Sequence, residues 1–292
     1  MSAQIFTPPP GACDCHLHVV GPKAQYPLAD YRAFTPMDAP LDKLLAMHRQ
    51  IGIERMVLIQ TSVFGYDNSC MLDALDVLGP RARGIAIVPG DIDSQTLDEM
   101  HRLGVRGLRV NIATYGSRPA EEIAEQFRVA ARLCARNNWH VQLFIPADAI
   151  AAIEPVLDAL PVPVSIDHFG LIPPQDDTHP AESVLRRLLE KGKVWVKVSG
   201  AYRLGDGGDN DFCDPRIGAL AQRLYQTNPA RIVWGTDWPH TPPHGDIAEG
   251  DEEAPYRDIE PASLLNALNA WFDDPKAMQR ILVDNPMELY DF

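Results

Sequence analysis

The feature that most constrains this chain is a repeated exchange of hydrophobic period along its length. Short runs rich in β-branched and apolar residues alternate with longer stretches of helical spacing, and the runs number eight. The strand candidates are Ala12 to Val19, Arg55 to Gln60, Arg83 to Val88, Gly107 to Ile112, His140 to Ile145, Val162 to Asp167, Val194 to Ser199 and Arg231 to Gly235. Helical stretches fall between them at Leu41 to Gln50, Asn68 to Leu78, Ser94 to Leu103, Pro119 to Asn137, Ala147 to Leu160, Ala181 to Lys191 and Pro215 to Gln226. Pro261 to Tyr290 reads as two or three further helices. Strict alternation implies parallel strands, which need crossover connections of helical length. Eight such units predict an α/β protein, a (β/α)8 TIM barrel in a single domain, with an open doubly wound sheet as the alternative. The length of 292 residues suits such a barrel, for which ~250 is typical. The domain is expected to span residues 1–292, with 1–11 as an extended, proline-rich N-terminal arm. No Gly-rich dinucleotide or phosphate fingerprint follows the first strand, so no organic cofactor is expected.

Composition narrows the partners. Lys and Arg total 26 against 40 Asp and Glu, a net charge of −14, which argues against nucleic acid and anionic membrane surfaces. An anionic small molecule stays admissible if arginines are concentrated at its site. Met1 to Gly11 carries no basic region and no apolar core, and no run approaches the ~20 apolar residues of a spanning helix. Five cysteines, an odd number, fit reduced thiols and a cytoplasmic setting. A homo-oligomer is compatible with these features but not specified by them.

The expected strand ends carry the chemistry. In Cys13-Asp14-Cys15-His16-Leu17-His18, a period of two sends Asp14, His16 and His18 to one face. Cys13, Cys15, Leu17 and Val19 then face the other way, with the cysteines acting as small buried hydrophobes. Two imidazoles aimed at one point suit a divalent metal or a polarised carbonyl; the plainer alternative is two hydrogen-bonded strand histidines. Further along, strand two runs into Gln60-Thr61-Ser62, strand four carries Arg109 and Asn111, and strand six ends Asp167-His168. Strand seven is followed by Ser199 and Arg203, and strand eight ends Trp234-Gly235-Thr236-Asp237-Trp238-Pro239-His240. Each alone could be a helix cap, a core histidine or a surface ion pair. Together they converge on the face where barrel enzymes build their sites. Long connections at Val20 to Pro40, Gly205 to Asp214 and His240 to Pro261 leave the same face. The last holds Asp246, Glu249, Asp251, Glu252 and Glu253, and reads as a solvated lid or surface loop rather than a cation site.

His16-Leu17-His18, Ile166-Asp167-His168 and Gly235-Thr236-Asp237-Trp238-Pro239-His240 resemble the amidohydrolase superfamily. Within it, Pro8 to Ala12, His18 to Pro22, Gly107-Leu108-Arg109 and Asn285-Pro286 resemble 2-pyrone-4,6-dicarboxylate lactonases, over almost the whole chain. The resemblance implies hydrolysis of a cyclic ester on a carboxylated ring. Ester hydrolysis needs a base for water and a group that meets the charge growing on the carbonyl oxygen. Asp237 is the candidate base, later passing its proton to the leaving oxygen. His168, with His16 and His18, is the candidate to polarise the carbonyl, directly or through a cation. Arg109 and Arg203 would grip carboxylate or sulfonate groups by forked hydrogen bonds, with Ser62 and His240 as secondary contacts.

Two departures from the family pattern matter. Many metal-dependent members have a lysine or glutamate ending strand four and a histidine ending strand five. Here the only strand-five histidine is His140 at its start, roughly 13 Å below Phe144 at ~3.3 Å per residue. That leaves His16, His18, His168 and Asp237 for a metal, enough for one divalent cation of zinc type. The lactonases resembled work without a metal, so metal use stays open. In addition, Phe34 and Phe144 stand where that family has substrate-contacting tyrosines, and no basic residue is evident in Asn111 to Ser117. A related acidic lactone, carboxylated or sulfonated, therefore fits better than the pyrone itself. The alternatives are a sugar-acid lactonase or lactone isomerase, a metal-dependent aromatic-acid decarboxylase on the same barrel, and a non-catalytic barrel that binds an aromatic acid.

Overall fold

The helices owe their ends to local chemistry and their placement to one apolar face each. Helix α3 (Ser94–Leu103) begins where the Asp93 carboxylate accepts the Thr96 N–H at 2.9 Å, and ends at Gly104 in the left-handed region, φ 107°. Its buried residues, Leu97 and Met100, lie three apart on one face. A buried apolar face likewise places α1 (Leu41–Ile51), α2 (Ser69–Leu78), α4 (Ala120–Ala135), α5 (Ala147–Ala159), α6 (Pro180–Glu190), α7 (Pro215–Thr227) and α8 (Pro261–Phe272), and the side chains of His179 and Asp214 cap α6 and α7. After α8 come α9 (Pro275–Gln279), a π turn over Arg280–Asp284 and α10 (Asn285–Tyr290). The computed structural model describes residues 6–114, 119–205, 212, 214–242 and 252–292.

All eight expected barrel strands form: β1 (Cys13–Leu17), β2 (Arg55–Ile59), β3 (Ala82–Ala86), β4 (Val105–Asn111), β5 (His140–Phe144), β6 (Val164–Ile166), β7 (Val194–Ser199) and β8 (Ile232–Gly235). They pair in chain order as one parallel eight-stranded sheet. The sheet returns on itself just past β8. There the Asp237 N–H donates to His16 O and the His18 N–H to Trp238 O, both at 2.8 Å. The fold is a (β/α)8 barrel.

Alternate residues sort between two cores. Met56, Leu58, Val141, Leu143, Val194, Val196, Val198 and Ile232 face the helices. Val57, Ile59, Ile85, Trp195 and Val233 fill the barrel, whose base Tyr290 of α10 helps to plug. Each such buried aliphatic side chain contributes about 1.5–3 kcal/mol.

Strand β1 breaks the period of two. Cys13 pairs with Arg55 and Asp14 with Met56, but Leu17 pairs with Leu58, so one extra residue is bulged into β1. Cys13 and Cys15 consequently lie in the inner core, not on the back of the strand, and Leu17 packs with the helices. Asp14 parts company with the histidines. Its carboxylate lies 3.2 Å from His48 Nε2 of α1 and accepts from the Thr236 N–H and hydroxyl at the seam with β8.

The connection after β8 folds back over the one after β1. Glu253 and Ala254 pair with Thr35 and Pro36, and Lys23 Nζ reaches Glu253 Oε1 at 2.8 Å. Asp246, Glu249 and Asp251 of the expected acidic loop lie outside the described residues. Among the described residues no helix is long and apolar enough to cross a membrane.

Candidate active site

Four side chains meet at the mouth because the backbone there is held in unusual shapes. His168 and Asp237 both adopt left-handed conformations, φ 50° and 63°, uncommon for residues with a side chain. These turns aim both side chains back over the barrel axis. Neighbouring glycines make the room: a Cβ on Gly235 would come within 2.5 Å of the His16 nitrogen, and one on Gly200 within 2.6 Å of His168 Nδ1.

The Asp237 carboxylate is the hub. Its Oδ2 accepts from the Tyr202 hydroxyl at 2.6 Å and from Arg203 Nε at 2.7 Å. Among the described residues its Oδ1 has no hydrogen-bond partner, and it faces three imidazole nitrogens: Nε2 of His16 at 3.6 Å, of His18 at 3.7 Å and of His168 at 3.8 Å. The far side of each ring is also held. His18 Nδ1 sits 2.8 Å from the Ile59 carbonyl, which can only accept, so that nitrogen donates. His168 Nδ1 lies 2.9 Å from Ser199 Oγ, and His16 Nδ1 lies 3.3 Å from Asp167 Oδ1.

Burial works against a charge on His16 and His168, while Asp237 stays a carboxylate. Burial opposes ionisation of Asp237, but the Arg203 guanidinium and the surrounding histidines overcome it and hold its carboxyl well below the usual range. Burial is also the main force lowering His16 and pulling His168 down to about 4, against the pull of Asp167 and Asp237 respectively. Burial and the Asp237 charge push the Tyr202 phenol well up, so it stays a donor. Among the described residues, His16, His18 and Asp237 could together hold a metal ion, as could His16, Asp167 and His168, and His168 Nε2 adjoins the first trio 3.8 Å from Asp237 Oδ1.

The cleft above is lined by His18, Phe34, Thr61, Ser62, Arg109, Asn111, Thr114, Phe144, His168, Arg203, Asp237 and Thr241. Two guanidiniums against one carboxylate make this lining cationic in a protein of net charge −14. Both guanidiniums flank one aromatic face, Arg109 at 5.5 Å and Arg203 at 5.9 Å from the Phe144 ring centre.

The structure brings together His16, His18, His168, Asp237, Arg109, Arg203 and Ser62 as the sequence predicts. Arg203 is committed first to Asp237, with its Nη2 donating to Thr241 Oγ1 at 2.8 Å. His240 is placed elsewhere: it stacks edge-on against Tyr202 and lines a neighbouring cavity beside Lys43, Trp238 and Tyr256. His140 lies deep in the barrel against Tyr290, away from the mouth. Sequence reasoning missed Tyr202, Gln142 and Lys197. A signal existed for Lys197, a charge between Val196 and Val198 in mid-strand, the pattern that singled out Arg109. None existed for Tyr202.

The chain is 33% identical to a 2-pyrone-4,6-dicarboxylate hydrolase of Comamonas testosteroni, over 99% of this chain and 93% of that protein. It is 32% identical to a 4-sulfomuconolactone hydrolase of Hydrogenophaga intermedia, over 98% and 90%. A crystal structure from Acinetobacter baumannii, described as a probable 2-pyrone-4,6-dicarboxylic acid hydrolase with citric acid bound, superposes with a TM-score of 0.75 at 26% identity, covering 97% of this chain and all of that one. A family model described as Amidohydrolase matches residues 13–292, and the chain belongs to the amidohydrolase family.

Proposed function

We propose that this protein hydrolyses the ring ester of an unsaturated lactone bearing carboxylate or sulfonate groups. The observation that carries the reading is the divided Asp237 carboxylate. One oxygen is locked by Tyr202 and Arg203; the other is left open among three imidazoles, under a cleft with a cationic lining. Named activities of the relatives support the substrate class, since both act on lactones that carry acid groups.

In this reading Asp237 Oδ1 takes a proton from water as the water oxygen bonds to the lactone carbonyl carbon. The ring C–O bond then breaks, and the same proton passes to the leaving ring oxygen, giving the open-chain acid. A carboxylate held so far down is a weak base by itself, so the groups around Oδ1 must share the work. His16, His18, His168 and Asp237 would hold one divalent ion of zinc type, which supplies Lewis-acid polarisation when bound. Arg109 and Arg203 orient the acid groups, and Phe144 offers a flat face to an unsaturated ring. Ser62, which lines the cleft, would make a secondary contact.

Purified protein mixed with a panel of unsaturated acidic lactones tests the proposal, with ring opening followed by ultraviolet absorbance and acid release. Asp237→Asn should abolish hydrolysis and leave the circular dichroism spectrum unchanged. Absence of turnover on every lactone would overturn the reading, and full activity in Asp237→Asn would remove Asp237 from the role of base.

A further inference from the structure

The turn that leaves β8 exchanges the places of two neighbouring residues. His240 donates its N–H to the Asp237 carbonyl at 2.9 Å, and its own carbonyl accepts the Arg257 N–H at 2.9 Å. His240 is left-handed, φ 68°, an uncommon shape for a residue with a side chain. Its imidazole meets the Tyr202 ring edge-on, centres 5.7 Å apart, while the next residue, Thr241, is buried in the lining of the cleft. The place expected for His240 is thus taken by a threonine one position further on.

Arg203 shows what Thr241 can do there. A guanidinium is a rigid planar fork with five N–H groups. Arg203 turns one edge of that fork to the protein: Nε donates to Asp237 Oδ2 at 2.7 Å and Nη2 to Thr241 Oγ1 at 2.8 Å. Among the described residues the outer edge, Nη1 with the second hydrogen of Nη2, makes no hydrogen bond. That outer edge is the forked donor that an acid group takes. A bond from Nε alone fixes one point of the plane and leaves its tilt open; the bond from Nη2 fixes the tilt. The Asp237 bond belongs to the reacting carboxylate, whereas nothing in the reaction described above uses the Thr241 bond.

We propose that Thr241 is a positioning residue for substrate binding: its hydroxyl oxygen fixes the guanidinium plane of Arg203, so that the outer edge of the fork receives an acid group in the cleft. Thr241 acts through Arg203. Only its oxygen is needed, so serine can stand in for it, and valine keeps its shape without an acceptor. The inference rests on reading Arg203 as an acid-group contact; its kinetic part rests also on ring opening, and its binding part does not.

Calorimetric titration with isophthalate, a planar aromatic diacid with no ester to open, tests it beside kinetics on an acidic lactone. Thr241→Val should weaken isophthalate binding and raise KM about tenfold each, the scale of one charged hydrogen bond, with kcat within about twofold of wild type. Thr241→Ser should restore both, and opening of an uncharged lactone of the same ring should be unchanged in either variant. Should Thr241→Val fail to fold, Thr241→Ala removes the same acceptor and carries the same expectations. Isophthalate affinity within about twofold of wild type in the folded variant would overturn the proposal, as would a wild type that binds no isophthalate. A Thr241→Ser protein no better than Thr241→Val would also overturn it. So would a fall in kcat shared by charged and uncharged lactones, which would make Thr241 a support for Asp237 instead. Isophthalate binding that responds as stated, in a protein that opens no lactone, upholds the role of Thr241 and overturns the ring-opening reading.

Discussion

Replacing Asp14 by alanine is expected to open the barrel at the seam that carries the site. Its Oδ1 accepts the backbone N–H groups of Thr236 at 2.9 Å and His16 at 3.2 Å. Its Oδ2 accepts the Thr236 hydroxyl and faces His48 Nε2 at 3.2 Å. In Asp14→Ala the hydroxyl can rotate to another acceptor, and His48 can move its proton to Nδ1. The two backbone donors have no such freedom, and each buried donor left unsatisfied costs about 1–3 kcal/mol. The loss should therefore be about 2–6 kcal/mol. Asp14→Asn keeps an oxygen for both backbone donors and offers its amide N–H to the hydroxyl, so it should lose about 1 kcal/mol. Equilibrium unfolding in urea followed by circular dichroism measures both, read as a change of midpoint at constant slope. The argument fails if Asp14→Ala lies within about 0.5 kcal/mol of wild type, or if Asp14→Asn is as damaging as Asp14→Ala. Activity should follow stability, since this seam holds His16 and His18 against Asp237.

Arg109→Met removes a charged hydrogen-bonding group worth about 1.5–3 kcal/mol, so KM for an acidic lactone should rise about 10- to 150-fold. An uncharged lactone of the same ring should be handled as before; an equal loss on both would show that Arg109 serves the fold. The pH dependence follows from His168, held down to about 4 mainly by its burial. A lowered folded-state value means the unfolded chain takes up the proton first. Stability is then full above the ordinary histidine range and falls as pH drops from there towards about 4, while turnover by folded protein holds until His168 protonates near about 4. Stopped-flow rates in acid would check the latter, and a sharp loss of rate near neutrality would contradict it. Elemental analysis should find no more than one divalent ion per chain, because the four donors serve one; two ions would contradict the donor set.

Much of the site was legible because barrel strands obey a local rule. Polar residues that end apolar strands in a closed parallel barrel share one mouth, so His16, His18, Arg109, His168 and Asp237 could be placed together before any distance was known. Arg109 stood out because a charge flanked by Leu108 and Val110 has few places to go. Lys197 carried the same signal between two valines. Its contacts stayed hidden because Gln142 and the Cys15 carbonyl come from two other strands and Asp167 from the turn after β6. Tyr202 and His240 show the same limit from opposite sides: residues 35 and three positions from Asp237 exchange importance once the turn after β8 is folded.

What the sequence determined by itself is the barrel, the face that carries the chemistry and the residue types gathered there. Those follow from hydrophobic period, which is a property of neighbours along the chain. The tertiary structure alone decided which atoms of those residues face which. A single bulged residue in β1 turned Asp14 from the expected company of His16 and His18 to a clasp on β8, and sent Cys13 and Cys15 into the barrel. Left-handed turns at His168 and Asp237 divided the work of one carboxylate between two locked bonds and one open oxygen. Register shifts and turns of this kind arise from closing eight strands on themselves, a constraint that no local stretch of sequence contains.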